Sequence, residues 1–316
     1  MWMAVWGMGE GLGKLFGGSK TKGSRHRPKV VINARHAQLL ASARRGDVPS
    51  QLKLATAYAE GDGLEQDYGE AAHWYGEAAK RGDAGAQFSY AVCLANGQGM
   101  AQDYESAVYW FRLAAEQGNT GAQVSLGLCL QKGLGTPPNR KEAVAWFRRA
   151  AEAGDAAGQV SLATSLHTGE GVPKNETEAV EWFRKAAAQG MAEAEFKLGK
   201  CLQDGVGVPM DAKEAFECFR RAAENGLPQA DFELGLCYYN GYGTEKDLTK
   251  GYTWVSLAAQ RAVPAAGPVK EEMKATLTPE QIAEAEKTVA ELAPGRAKVV
   301  VQDADFDQEL SAPNEE

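Results

Sequence analysis

The sequence predicts an all-α protein, an α-solenoid of six helix-turn-helix units with capping helices at both ends. Four sets of residues predict it, each recurring at a spacing of 36. Single glycines stand at Gly46, Gly82, Gly118, Gly154, Gly190 and Gly226, and a glycine pair keeps the same step from Gly61 and Gly63 to Gly241 and Gly243. Tryptophan recurs at Trp74, Trp110, Trp146, Trp182 and Trp254, with Cys218 in the fifth place. Alanine pairs follow, from Ala78–Ala79 to Ala258–Ala259. Self-similarity at a fixed period marks a repeat architecture, in which each unit buries its apolar face only against its neighbours.

The elements follow in chain order. Residues 1–32 read as a disordered leader, and residues 33–45, with Leu39 and Leu40, as a helix capping the first unit. The units run 46–81, 82–117, 118–153, 154–189, 190–225 and 226–261. The first helix of each, near 48–60 in unit one, keeps Leu54, Tyr90, Leu126, Leu162, Leu198 and Leu234 in one column. A second apolar column four residues on, Tyr58 to Tyr238, completes a helical stripe. Between them sits a tiny residue (Ala55, Ala91, Gly127, Ala163, Gly199, Gly235), which predicts the close approach of a neighbouring helix. The glycine pair stops this helix. Asp67, Asp103, Asn139, Asn175, Asp211 and Asp247 then cap the second helix. Glu70, Glu142, Glu178 and Glu214, three residues later, predict a reciprocal capping box that Ser106 and Lys250 interrupt. Asp47, Asp83, Asn119 and Asp155 cap the next first helix. Residues 262–294 read as C-terminal capping helices, one opened by Thr278, Pro279 and Gln281 with Ile282, Ala285 and Val289 as its stripe. The acidic stretch 295–316 has little to bury and reads as disordered.

The composition is that of a soluble, packed protein, with 44% apolar and 24% charged residues. A net charge of −8 argues against a nucleic-acid-binding body, and no apolar run is long enough to span a bilayer as a helix. The leader combines Trp2, Trp6, Leu12, Leu15 and Phe16 with Lys20, Lys22, Arg25, Arg27 and Lys29. Its charge follows its apolar part, the reverse of a signal peptide. Two readings stand: a weak peripheral contact with an anionic membrane, or a bland stretch translated from a start codon chosen too early.

The second unit carries a full motif: Ala86, Tyr90, Ala91, Leu94, Gly97, Gly99, Asp103, Ala107, Trp110, Phe111, Ala114, Ala115 and Gly118. This resembles the Sel-1-like repeat, a relative of the tetratricopeptide repeat with a slightly longer period. The leading alanine recurs at Ala122, Ala194 and Ala230, while Ser50 and Gly158 depart from it with small residues. The resemblance covers about two thirds of the chain. It implies a right-handed α-solenoid and adaptor or scaffold roles in protein complexes, including signalling, membrane-protein quality control and bacterial interactions with hosts. It does not name a partner.

The residues offer little for catalysis, and we expect no enzyme, no catalytic residue, no cofactor and no metal. Cys93, Cys129, Cys201 and Cys237 share one repeat column with Ala57 and Ser165, the pattern of a small buried filler. The secreted, cysteine-rich branch of the family carries cysteine pairs within each unit. This chain does not, so the β-lactamase or penicillin-binding activity suggested for that branch finds no support. Reduced thiols suit a cytoplasmic setting. His26, His36, His73 and His167 have no metal-ligand spacing. The segment Gly17–Thr21 lacks the glycines and preceding strand of a phosphate loop.

A protein or peptide partner is the expectation, held on the concave face as in tetratricopeptide arrays. One candidate column is Thr56, Val92, Leu128, Thr164, Lys200 and Leu236; the other is Lys53, Ser89, Ser125, Ser161, Lys197 and Glu233. Three residues apart, they form adjacent strips of one helix face, suited to an extended peptide or an amphipathic helix. The competing reading packs Val92, Leu128 and Leu236 against the next unit. The rival function, an envelope-associated ligand-binding protein or enzyme acting on peptidoglycan, calls for a clustered polar pocket.

Overall fold

The computed structural model describes residues 34–295, which hold fifteen α-helices and no strand. The expectations for the leader and for the acidic stretch beyond residue 295 lie outside the described residues. Helix α1 (Ala34–Arg44) precedes three helix pairs: α2 (Val48–Glu60) with α3 (Tyr68–Ala79), α4 (Ala84–Asn96) with α5 (Tyr104–Glu116), and α6 (Thr120–Lys132) with α7 (Arg140–Glu152). Three more follow: α8 (Ala156–Thr168) with α9 (Glu176–Ala187), α10 (Ala192–Asp204) with α11 (Ala212–Glu224), and α12 (Pro228–Asn240) with α13 (Leu248–Gln260). Helices α14 (Ala266–Lys274) and α15 (Pro279–Leu292) close the series. The chain forms two compact units, one ending at Ala153 and the other beginning at Gly154. Successive helices pack on one another from α1 to α7 in the first unit and from α8 to α14 in the second, and both α14 and α15 pack on α13.

Side-chain caps set the helix starts. Asp67, Asp103, Asn139, Asn175, Asp211 and Asp247 each accept a backbone N–H of the first turn, a contact that typically stabilises by ~1 kcal/mol. Asp47, Asp83, Asn119 and Asp155 do the same for the first helices, whereas α10 and α12 start at Met191 and Leu227 without a side-chain cap. The expected reciprocal boxes do not form. In each case the cap residue's own N–H is already taken by the preceding first helix, as in Asn139 to Leu130 O (2.7 Å) and Asp211 to Leu202 O (3.0 Å). The freed glutamates turn elsewhere, Glu142 accepting from Arg112 at 2.7 Å and Glu214 pairing with Arg184. Among the described residues the complete box belongs to Thr278 and Gln281.

Gly97 ends α4 in the left-handed region at φ 66°, and Gly99 lays the loop on the preceding repeat, where a Cβ would collide with the Tyr68 carbonyl. The tiny-residue column has a more specific cause than helix proximity. A Cβ at Gly199 would lie 2.7 Å from the Phe219 ring, and Gly127 meets Phe147 in the same way. The aromatic ring of the second helix fills the space. Only at Gly235, where Val255 replaces the aromatic, does helix backbone itself come close, at 2.8 Å from the Val255 N.

The core repeats with the sequence. Phe111, Phe147, Phe183 and Phe219 are fully buried, as are Leu54, Leu126, Leu162, Leu202 and Leu234. Each contributes roughly 1.5–3 kcal/mol relative to exposure. Helix α1 adds Ala43, with Leu39 and Leu40 packed beside it, to the cluster of Leu54, Ala55 and Trp74.

A buried polar column runs through this core: Gln51, Gln87 and Gln123 in the first unit, Gln159, Glu195 and Asp231 in the second. Gln51, Gln87 and Gln123 donate to Ala43, Ala79 and Ala115, carbonyls at the end of the preceding helix that also accept from Gly46, Gly82 and Gly118. A residue thirty positions on completes most rungs: Gln117 donates to Gln87 (2.7 Å), Gln189 to Gln159 (2.9 Å), Asn225 to Glu195 (3.2 Å) and Arg261 to Asp231 (2.9 Å). Two rungs stay incomplete: the Oε1 atoms of Gln51 and Gln123 have no partner, and Ala153 holds the partner position for Gln123.

Candidate partner-binding site

The candidate strips lie on first helices, where positions i and i+3 share a face. In the first unit Lys53 and Thr56 are exposed, and the Thr56 hydroxyl is 3.2 Å from the Tyr75 hydroxyl of α3. Ser89, Val92 and Leu128 are half-buried. Ser125 is buried, and its Oγ donates to Gly121 O at 2.8 Å, so this hydroxyl is turned to its own helix rather than to a ligand. A hydroxyl within a helix commonly bonds back to the carbonyl four residues before it in this way.

The second unit gives the same strips a different chemistry. Ser161 and Thr164 are half-buried and uncharged. Lys197 pairs with Glu193 at 3.8 Å, and Lys200 donates to Gln203 (2.7 Å) and reaches Glu233 of the next repeat (3.4 Å). Leu236 packs partly on the cluster of Tyr252, Val255 and Ala258, which favours a packing role for it. Burial pushes the nearby His167 below its ordinary value, an effect that Lys174 and Lys197 reinforce, and so keeps the ring neutral at physiological pH. The strips therefore divide into a neutral stretch carrying Val92 and Leu128 and a charged lattice around Lys200.

The arrangement offers no activated nucleophile in its cysteines. Burial pushes Cys93, Cys129, Cys201 and Cys218 up to about 11 and Cys237 to about 12, so thiolates do not form at neutral pH. The described residues hold no group of three or more His, Cys, Asp or Glu side chains placed to bind a metal. No described helix is long and apolar enough to cross a membrane.

Sequence reasoning missed two features outside the strips. One is the buried polar column, readable as Gln51, Gln87, Gln123 and Gln159 at the repeat spacing. The other is the bridge between second helices, Arg112 to Glu142 and Arg184 to Glu214. It explains the two interruptions in the glutamate column. Thirty residues before Ser106 the arginine position holds Gly76, and thirty before Lys250 stands Arg220, which turns to Glu217 and Glu224 of its own helix.

Helical pairs with this periodic core define an all-α repeat solenoid. The Sel1 repeat pattern matches residues 48–83, 84–119, 120–155, 156–191, 192–227 and 228–263, and the chain belongs to the Sel1 repeat family. These windows have the glycine period and begin two residues later than the glycine-based division. Two solved structures are similar. One is c5321, a protective antigen present in uropathogenic Escherichia coli strains and displaying an SLR fold: 31% identity, covering 89% of this chain and 67% of that one, TM-score 0.57. The other is a Sel1 repeat protein from Oxalobacter formigenes, with 30% identity over 72% of this chain and 97% of that one, TM-score 0.63. No curated protein matches the chain. Sel1 repeat proteins generally mediate protein–protein interactions.

Proposed function

We propose that this chain is a non-enzymatic scaffold or adaptor that holds a protein or peptide along its first-helix strips. One observation carries the reading: Val92 and Leu128, on adjacent first helices, are half-exposed apolar side chains flanked by small hydroxyl residues rather than core members. Apolar anchors repeated on adjacent first helices suit an extended segment or one face of a helix. The charged lattice of Lys197, Lys200 and Glu233 adds a region where charge pattern selects among partners. Buried, unpaired cysteines support a reducing, cytoplasmic compartment.

Exchanging Val92 and Leu128 together for Ser tests it, with affinity for the captured native partner and thermal melting read on the same protein. The reading expects at least a tenfold loss of affinity with the melting temperature within a few degrees of the parent. A collapse in melting temperature would place both residues in the core, and unchanged affinity would remove them from the binding face.

A further inference from the structure

The tryptophan column of the second helices is closed by the chain itself in two repeats. Trp146 and Trp182 donate through Nε1 to Glu142 and Glu178, at 3.3 Å each. A cation three residues further on stands over each ring, the Arg149 Cζ at 4.6 Å and the Lys185 Nζ at 3.7 Å. Trp110 of α5 occupies the same column with neither. Ser106 stands at the glutamate position and Leu113 at the cation position.

Trp110 packs on the cluster of Ala78, Ala79 and Ala86, and two tyrosines flank it. Tyr90 and Tyr109 stand edge-on to it, with centroids at 5.6 and 5.2 Å and ring planes at 76° and 79°. Gly76 makes room for Tyr90, since a Cβ there would lie 3.1 Å from that ring. Tyr109 is 58% exposed, and Glu105, one turn before it, is exposed and makes no ion pair among the described residues. Aromatic faces attract ammonium and guanidinium groups, and an adjacent carboxylate strengthens that preference.

We propose that the Tyr90–Trp110–Tyr109 cluster, with Glu105, takes an arginine or lysine side chain from a basic peptide segment of a partner. That side chain takes the place Arg149 and Lys185 fill within the chain in later repeats. The site centres on the second helix α5, with Tyr90 contributed by the first helix α4, and names a partner chemistry the strips do not.

The test titrates the full chain, at physiological salt, with a fluorescent peptide of alternating Arg and Gly, and with a Glu–Gly peptide as control. Saturable binding of the arginine peptide alone is expected. Tyr109→Ala should weaken it at least fivefold. Leu113→Arg, which rebuilds the internal cation without removing a core group, should weaken it as much. Trp182→Leu, in a repeat closed by Lys185, should leave it within twofold, as should the Val92→Ser, Leu128→Ser pair. No saturable binding, equal binding of the glutamate peptide, or indifference to Leu113→Arg and Tyr109→Ala would overturn the assignment. Loss through the Val92 and Leu128 changes alone would move the basic segment to the strips.

Discussion

Arg261 donates to Asp231 across 2.9 Å, with only 7% and 0% of the two side chains exposed. The same guanidinium also reaches the Gly226 carbonyl. Removing two charges from water is costly, so such a pair persists only when its hydrogen bonds are nearly complete. Asp231→Ala leaves the guanidinium buried alone and should cost about 3–5 kcal/mol in urea unfolding. Replacing both residues by Gln, the pairing seen at Gln87 and Gln117, should recover most of that loss. An equal loss in both variants would deny the pair its role as a rung.

The incomplete rung at Gln123 predicts the opposite sign. Ala153→Gln offers an amide to the unpartnered Gln123 Oε1. We expect a gain of about 0.5–1.5 kcal/mol, the usual net worth of one hydrogen bond. The same change in a Gln123→Leu background should give no gain.

Ala262 stands at φ 62°, a left-handed conformation, thirty-six residues beyond Gly226 in the single-glycine column. Ala262→Gly should stabilise by up to about 1 kcal/mol, relief of Cβ strain outweighing the added freedom of the unfolded chain. Gly99→Ala combines that strain with a collision against the Tyr68 carbonyl and should destabilise by several times as much. Chemical denaturation of the two variants checks both signs.

The buried cysteines predict how stability and reactivity depend on pH. Burial holds four thiols near 11, above the ordinary 9.0. The unfolded chain therefore loses these protons first. Their contribution is complete below about pH 9 and falls as pH rises toward 11. At pH 8 a disulfide reagent should label the native protein only as fast as it opens, and all five cysteines at once in denaturant. Rapid labelling of any one in the native state would contradict its burial.

Much of the fold is legible because the repeat prints each packing slot six times. The Phe111 column, the alanine pairs and the Asp103 cap each require one residue type at one step, so periodicity reveals them. The glutamates show where such reading stops. Glu142 has a capping-box position in sequence, yet Arg112 claims it from the repeat before, a partner thirty residues away that no local motif predicts. The strips are harder still. Ser89 and Ser125 are identical in sequence and equivalent in register, but the first is half-buried and the second buried against its own helix. The side chains packed around each hydroxyl differ between the repeats, and they are not written in the column.

Site-specific photo-crosslinking in cells tests the central claim most directly. A photoreactive residue is placed in turn at Val92, at Lys200 and at Glu181 on the exposed face of α9. The account predicts adducts with a discrete protein partner from Val92 and Lys200, and none of that species from Glu181. Adducts of the same partner from Glu181 alone, or no adduct from either strip position, would contradict it.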